Sequence, residues 1–74
     1  MTRTLDAKGL KCPLPVLRAR KALRDLAAGD TLAVETTDPA APKDFAAFCR
    51  EAGHELVGTV EADGLATITI RKGA

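Results

Sequence analysis

Hydrophobic and polar positions along the chain alternate in four stretches and recur with helical spacing in two. At residues 2–7, TRTLDA alternates as a short strand with Leu5 facing inward, and KGLK after it reads as a loop. From Pro13 to Ala28 the period becomes helical: Val16, Ala19, Leu23 and Leu26 fall on one stripe, Arg18, Lys21 and Asp25 lie elsewhere, and Gly29 supplies the stop. TLAVETT then sets Leu32 and Val34 against Ala33 and Glu35 as a second strand, which DPAAP breaks. A shorter helix is predicted from near Pro42 to Ala52, because Phe45, Phe48, Cys49 and Ala52 stand at i, i+3, i+4 and i+7, and Gly53 closes it. HELVGTVEADGLATITIRK offers two β runs joined by Asp63-Gly64, a strong hairpin signal, with Ala66, Ile68 and Ile70 on the face opposite Thr67, Thr69 and Arg71.

The resulting order, βαβαββ, predicts an α+β fold: a two-layer α/β sandwich with two helices packed on one face of a mixed four-stranded sheet. Strand, helix and strand at the start imply a parallel crossover, and the alternating strands imply that the other face of the sheet is wet. Residues 1–74 are expected to form a single domain, whose core is small because a chain this short buries only about 60% of its unfolded surface. Composition agrees, with 46% hydrophobic and 28% charged residues, two Phe and no Trp or Tyr, so disorder is not expected.

Charge changes the picture more than composition does. Up to Arg24 there are seven basic residues (Arg3, Lys8, Lys11, Arg18, Arg20, Lys21, Arg24) against Asp6, whereas nine acids and two bases lie between Asp25 and Asp63, and the net charge of the chain is only +1. A partner would meet a polarised molecule. No apolar run reaches the roughly 18 residues of a membrane span, and MTRTLDAKG lacks the apolar core of a signal peptide. The expectation is a cytoplasmic protein without membrane contact. Two cysteines 37 positions apart do not resemble a secreted disulfide framework, so reduced thiols are expected.

The candidate chemistry sits in GLKCPLP. Cys12 directly precedes the second predicted element, with Pro13 expected at its first helical position and Pro15 in its first turn, where missing N–H groups cost little. On that placement the N–H groups of Leu14 and Val16 would be free to meet an anion, and the helix field, with Lys11 and Lys8, would lower the Cys12 pKa and leave it partly ionised at neutral pH. A persulfide, more acidic than a thiol, would be held as its anion by the same field. The other reading of Cys12, as a small buried hydrophobe, fits a loop-to-helix junction poorly.

What the thiol lacks narrows its chemistry. His54, the one histidine, follows the second stop glycine and is expected to act locally at a strand start. There is no C-x-x-C for dithiol exchange, and two cysteines with one histidine make no zinc site, so neither metal nor cofactor is expected. Cys49 lies on the apolar stripe with Phe45 and Phe48 and reads as core, which makes a Cys12–Cys49 disulfide improbable.

LDAKGLKCPLPVLRARKAL followed by GDTLAVETTDPAAPKDFAAFCREAGHELV closely resembles the TusA-like (SirA) sulfur carrier proteins. The signature elements are Leu5-Asp6, Gly9-Leu10, Cys12-Pro13-Leu14-Pro15 and Asp38-Pro39, and the resemblance runs over essentially the whole chain. It implies a βαβαββ sandwich and a Cys12 that accepts sulfane sulfur as a persulfide, with Pro13, Pro15, Gly9 and Lys11 in support. The implied donor is a cysteine desulfurase or rhodanese-like protein. The implied acceptor is a cysteine of another protein, TusD/DsrE-like, on the way to tRNA 2-thiouridine, molybdenum cofactor or sulfur oxidation. Such a carrier relays sulfur in the manner of a sulfurtransferase, without a substrate pocket of its own. Lys8, Lys11, Arg18, Arg20, Lys21 and Arg24 become candidates for docking an acidic patch on a partner, set against the bland reading of a solvated helix face. The alternatives are a redox-sensing or regulatory thiol, which the site's physics permits, and a small RNA-binding module, which an absence of sheet aromatics and a near-neutral charge disfavour. No direct nucleic-acid contact is expected, and polar exposed faces point to a monomer.

Overall fold

The computed structural model describes residues 2–73. In chain order its elements are β1 (Thr2–Ala7), α1 (Leu14–Arg24), β2 (Thr31–Thr36), α2 (Ala41–Ala52), β3 (Glu55–Ala62) and β4 (Leu65–Arg71). The sheet order is β1-β2-β4-β3: β1 runs parallel to β2, pairing Leu5 with Val34, while β2 and β3 are each antiparallel to β4. This is the expected βαβαββ sandwich, with both helices on the face of the sheet that carries Leu32, Val34, Ile68 and Ile70.

The core forms where the alternation placed it. Phe45, Leu32, Val34, Ile68 and Ile70 are fully buried, and Phe48 meets Phe45 edge to face at 6.5 Å between centroids. Full burial of each aliphatic side chain contributes about 1.5–3 kcal/mol of transfer free energy. From α1 come Pro15, Ala19, Ala22 and Leu23, with Val16 half-buried at the margin. Cys49 is buried in this core, 2% exposed, and both cysteines are free thiols. Asp63 (φ 52°) and Gly64 (φ 78°) make the hairpin turn with two left-handed residues, as the Asp-Gly pair requires.

Two expectations about α1 are corrected. The helix begins at Leu14, one residue later than predicted, because Pro13 holds a non-helical backbone conformation (φ −96°, ψ 12°) and is the cap residue. It ends at Arg24, four residues before the predicted Ala28. Two 3₁₀-type bonds close it, from the Asp25 N–H to the Ala22 carbonyl and from the Leu26 N–H to the Leu23 carbonyl, each at 3.1 Å, and the chain then turns towards β2, with the Ala27 N–H donating to the Asp30 carboxylate at 3.1 Å. Gly29 (φ 92°) serves that turn and is not the helix stop. Leu26 still packs on the core, half-buried, from outside the helix. By contrast α2 ends at Gly53 as expected, in the left-handed conformation.

His54 is held locally. Its Nδ1 accepts the N–H of Gly73 at 3.0 Å, and its ring lies 5.6 Å from Phe48. Lys72 completes the same corner, exchanging backbone hydrogen bonds with Gly29 and Asp30. Among the described residues no helix is long and apolar enough to cross a membrane.

Candidate functional site

The loop between β1 and α1 is fixed at several points before it reaches the thiol. Gly9 takes a left-handed φ of 80°, its N–H donates to Thr37 Oγ1 at 3.0 Å, and the Leu10 N–H donates back to the Ala7 carbonyl at 3.3 Å. The decisive contact is at the cysteine itself. The Cys12 N–H donates to Asp38 Oδ2 at 2.7 Å, a short charge-assisted bond across 26 residues of sequence. The other oxygen of Asp38 accepts the Ala40 N–H at 3.1 Å, its own N–H donates to Thr36 Oγ1 at 3.2 Å, and its carbonyl accepts the Ala41 N–H at 3.0 Å. One residue after β2 therefore opens α2 and holds the cysteine backbone in place. The Asp-Pro pair read in the sequence as a strand breaker; its carboxylate is a site residue.

Cys12 is exposed between two open grooves. One, of about 390 Å³, runs past Gly9, Lys11, Asp38 and Pro39. The other, of about 270 Å³, lies between the helices, with Pro13, Val16 and Arg20 on one wall and Asp44, Phe48 and Glu51 on the other. The guanidinium of Arg20 lies over the Phe48 ring, 5.5 Å from its centroid. Asp44 stands in the first turn of α2, where a negative charge suits the helix end, yet its Oδ2 is buried without a hydrogen-bond partner.

These carboxylates reverse the expected acidity. The Cys12 pKa is raised above that of an ordinary thiol, first by a hydrogen bond from the thiol to Asp44, then by partial desolvation, then by the negative charges of Asp44 and Asp38. At neutral pH the resting sulfur is a protonated thiol, not the partly ionised one expected. The cations assumed to act on it are placed otherwise. The Lys8 ammonium is bound to Glu35 at 3.1 Å and to Asp6 at 3.2 Å, and these contacts raise its own pKa. Nor is the Leu14 N–H open to an anion: it donates to the Lys11 carbonyl at 2.9 Å. Burial raises the Cys49 pKa and keeps that thiol inert.

The basic residues of α1 divide between its two sides. Arg20 and Arg24 border the α2 side, where Phe48 and His54 lie, whereas Arg18 and Lys21 face β1 in a separate groove with Arg3 and Asp25. Leu14 and Leu17, in the first turn after Cys12, are 46% and 49% exposed. Sequence reasoning missed them, together with Asp44 and Glu51. The acids were detectable in principle, since Asp44, Ala47, Phe48 and Glu51 repeat at i, i+3, i+4 and i+7 beside the apolar stripe of α2.

Comparison with known proteins gives a consistent result. Residues 3–72 match the family described as Sulfurtransferase TusA. A sulfur carrier protein TusA of Pseudomonas entomophila is 49% identical over 71 residues, 96% of this chain and 89% of the relative. A sulfur carrier protein TusA of Allochromatium vinosum is 47% identical over 68 residues, 92% and 90% of the two chains. The crystal structure of a SirA-like protein from Desulfitobacterium hafniense superposes with a TM-score of 0.85 at 32% identity, covering 97% of this chain and 99% of that one. An exposed cysteine before a proline-bearing helix, the βαβαββ sandwich around it and these matches together place the chain in the TusA family of sulfur carrier proteins.

Proposed function

We propose that this chain carries sulfane sulfur as a persulfide on Cys12, taking it from a cysteine desulfurase or rhodanese-like donor and passing it to a cysteine of an acceptor protein of the TusD/DsrE type. The observation that carries this reading is the mounting of Cys12: an exposed sulfur whose backbone is tied to Asp38 and whose neighbours include no second thiol among the residues lining its two grooves. Such a site can take and give up an atom without closing on a small substrate. Gly9, Lys11, Pro13 and Pro15 serve by shaping the loop and the helix start, while Arg20 and Arg24, with exposed Leu14 and Leu17, form the side that meets a partner. Arg18, Lys21 and Lys8 lie further round. A free, functional thiol belongs in a reducing compartment, so the carrier works in the cytoplasm. Delivery to tRNA thiolation or to sulfur oxidation follows from which acceptor docks.

In each handover a sulfur–sulfur bond breaks as another forms. The accepting sulfur attacks the outer sulfur of the donor persulfide, and the donor cysteine leaves as a thiol. Incubation with cysteine and a cysteine desulfurase adds one sulfur atom to the intact mass. Cys12→Ser abolishes the gain and Cys49→Ser retains it. Sulfur retained on the Cys12→Ser protein would refute the assignment, and a Cys12 that oxidises but never gains sulfur would favour a redox-sensing thiol.

A further inference from the structure

Around Cys12, carboxylates outnumber cations. Asp44 and Glu51 from α2 line the groove beside the sulfur, and Asp38 holds the cysteine backbone from the other side. Of the cations, Arg20 lines the Asp44 groove but is drawn over Phe48, and Lys11 borders the opposite groove. The placement of Asp44 is the least economical in the site. A carboxylate oxygen buried without a donor is a costly arrangement for a merely structural residue, and this one lies in the groove that holds the reactive sulfur.

We propose that Asp44 sets the affinity of Cys12 for sulfur, favouring the empty carrier over the loaded one so that the persulfide is readily given away. The inference rests on the persulfide reading above. The exchange is Cys12–SH + R–S–S⁻ ⇌ Cys12–S–S⁻ + R–SH. The donor's S–S bond breaks, a new one forms at Cys12 Sγ, and the Cys12 proton passes to the departing sulfur of R. The sulfane sulfur moves with its oxidation state unchanged, so no external oxidant or reductant is needed. On the left the Cys12 thiol is neutral in the groove it shares with Asp44. On the right an anion stands in the same groove as that carboxylate, with Asp38 and Glu51 adding the same sign. The added repulsion opposes loading. Where the persulfide is itself protonated the charge term vanishes, so the influence of Asp44 depends on pH.

The test is an exchange equilibrium between the full chain and glutathione persulfide at a fixed ratio of persulfide to glutathione, read as loaded and empty protein by intact mass. At about pH 8 Asp44→Asn raises the loaded-to-empty ratio roughly threefold to tenfold, tenfold being the effect of one pKa unit, and the difference from wild type shrinks towards about pH 5. Iodoacetamide alkylation of unloaded Asp44→Asn moves to lower pH, and Asp44→Glu, which keeps the charge, stays near wild type in both assays. Should Asp44→Asn lose its circular dichroism signature, Asp44→Ser is measured in its place. An equal ratio in wild type and variant, or a change of the same size at both pH values, overturns the proposal while leaving the persulfide site intact. A wild-type chain that takes no sulfur at all overturns both.

Discussion

Removing the Asp38 carboxylate tests whether the site and the fold share one clamp. Asp38→Ala deletes two charge-assisted bonds, from the Cys12 N–H at 2.7 Å and the Ala40 N–H at 3.1 Å. Bonds to a charged group contribute about 1.5–3 kcal/mol each when buried, but Asp38 is only half-buried, so about 1 kcal/mol apiece is the better figure and the total loss is about 2 kcal/mol. In a domain of this size that lowers Tm by roughly 8–16 °C. Asp38→Asn, which keeps one acceptor oxygen and turns an amide N–H₂ towards the other donor, loses about half as much or more. Urea unfolding at neutral pH reads both variants as a shift in midpoint with an unchanged slope. The same change removes one of the negative charges that raise the Cys12 pKa, so alkylation of the folded Asp38→Ala protein becomes faster at neutral pH. A stability within about 0.5 kcal/mol of wild type would mean that solvent replaces the clamp at no cost, and the reasoning fails.

The remaining predictions concern the C-terminal corner, alkaline pH and the helix charges. A Cβ on Gly73 would run into the Gly53 carbonyl, so Gly73→Ala displaces the corner, breaks the bond to His54 and lowers stability by about 1–3 kcal/mol; an unchanged urea midpoint would count against it. Cys12 and Cys49 both have pKa values raised above those of free thiols, so the folded state holds their protons longer than the unfolded chain. The stability this gives is fully present below the ordinary thiol pKa and is lost as pH rises through the raised values; urea midpoints should therefore fall less steeply on the alkaline side for a Cys12→Ser, Cys49→Ala double variant than for wild type. Equal slopes would contradict the shifts. Reversing Arg20 and Arg24 to Glu slows sulfur uptake from a protein donor at low salt more than reversing Arg18 and Lys21, because only the first pair borders the α2 side; equal effects would remove the distinction.

The fold was largely legible because each strand buries alternate positions and each helix buries a stripe, and these patterns survive in one dimension. Leu32, Val34, Ile68 and Ile70 were assigned to the core by period alone, and all are fully buried. The ends of α1 were less legible, since the apolar stripe continues to Leu26 after the helix has stopped at Arg24, and burial outlasts the backbone conformation. At the site, the exposure of Cys12 could be read from its local neighbours and its acidity could not. Proline and lysine next to Cys12 argued for a thiolate, but the groups that decide its proton come from Asp38 and Asp44, brought in by tertiary structure. A positive residue nearby in sequence counted for less than a negative one nearby in space, as Lys8 shows by turning to Asp6 and Glu35.

The hydrogen bond between Cys12 and Asp38 joins the first loop to the start of the second helix, and Asp44 lies one turn further on. Until β2 and α2 are in place, Cys12 is an ordinary thiol with an ordinary pKa, more readily ionised at neutral pH than in the finished protein. Folding thus restrains the ionisation of the Cys12 sulfur. A newly made or damaged chain exposes a thiol more open to alkylation and oxidation than the native carrier, which makes the rate of Cys12 modification a local gauge of whether the carrier has been correctly assembled.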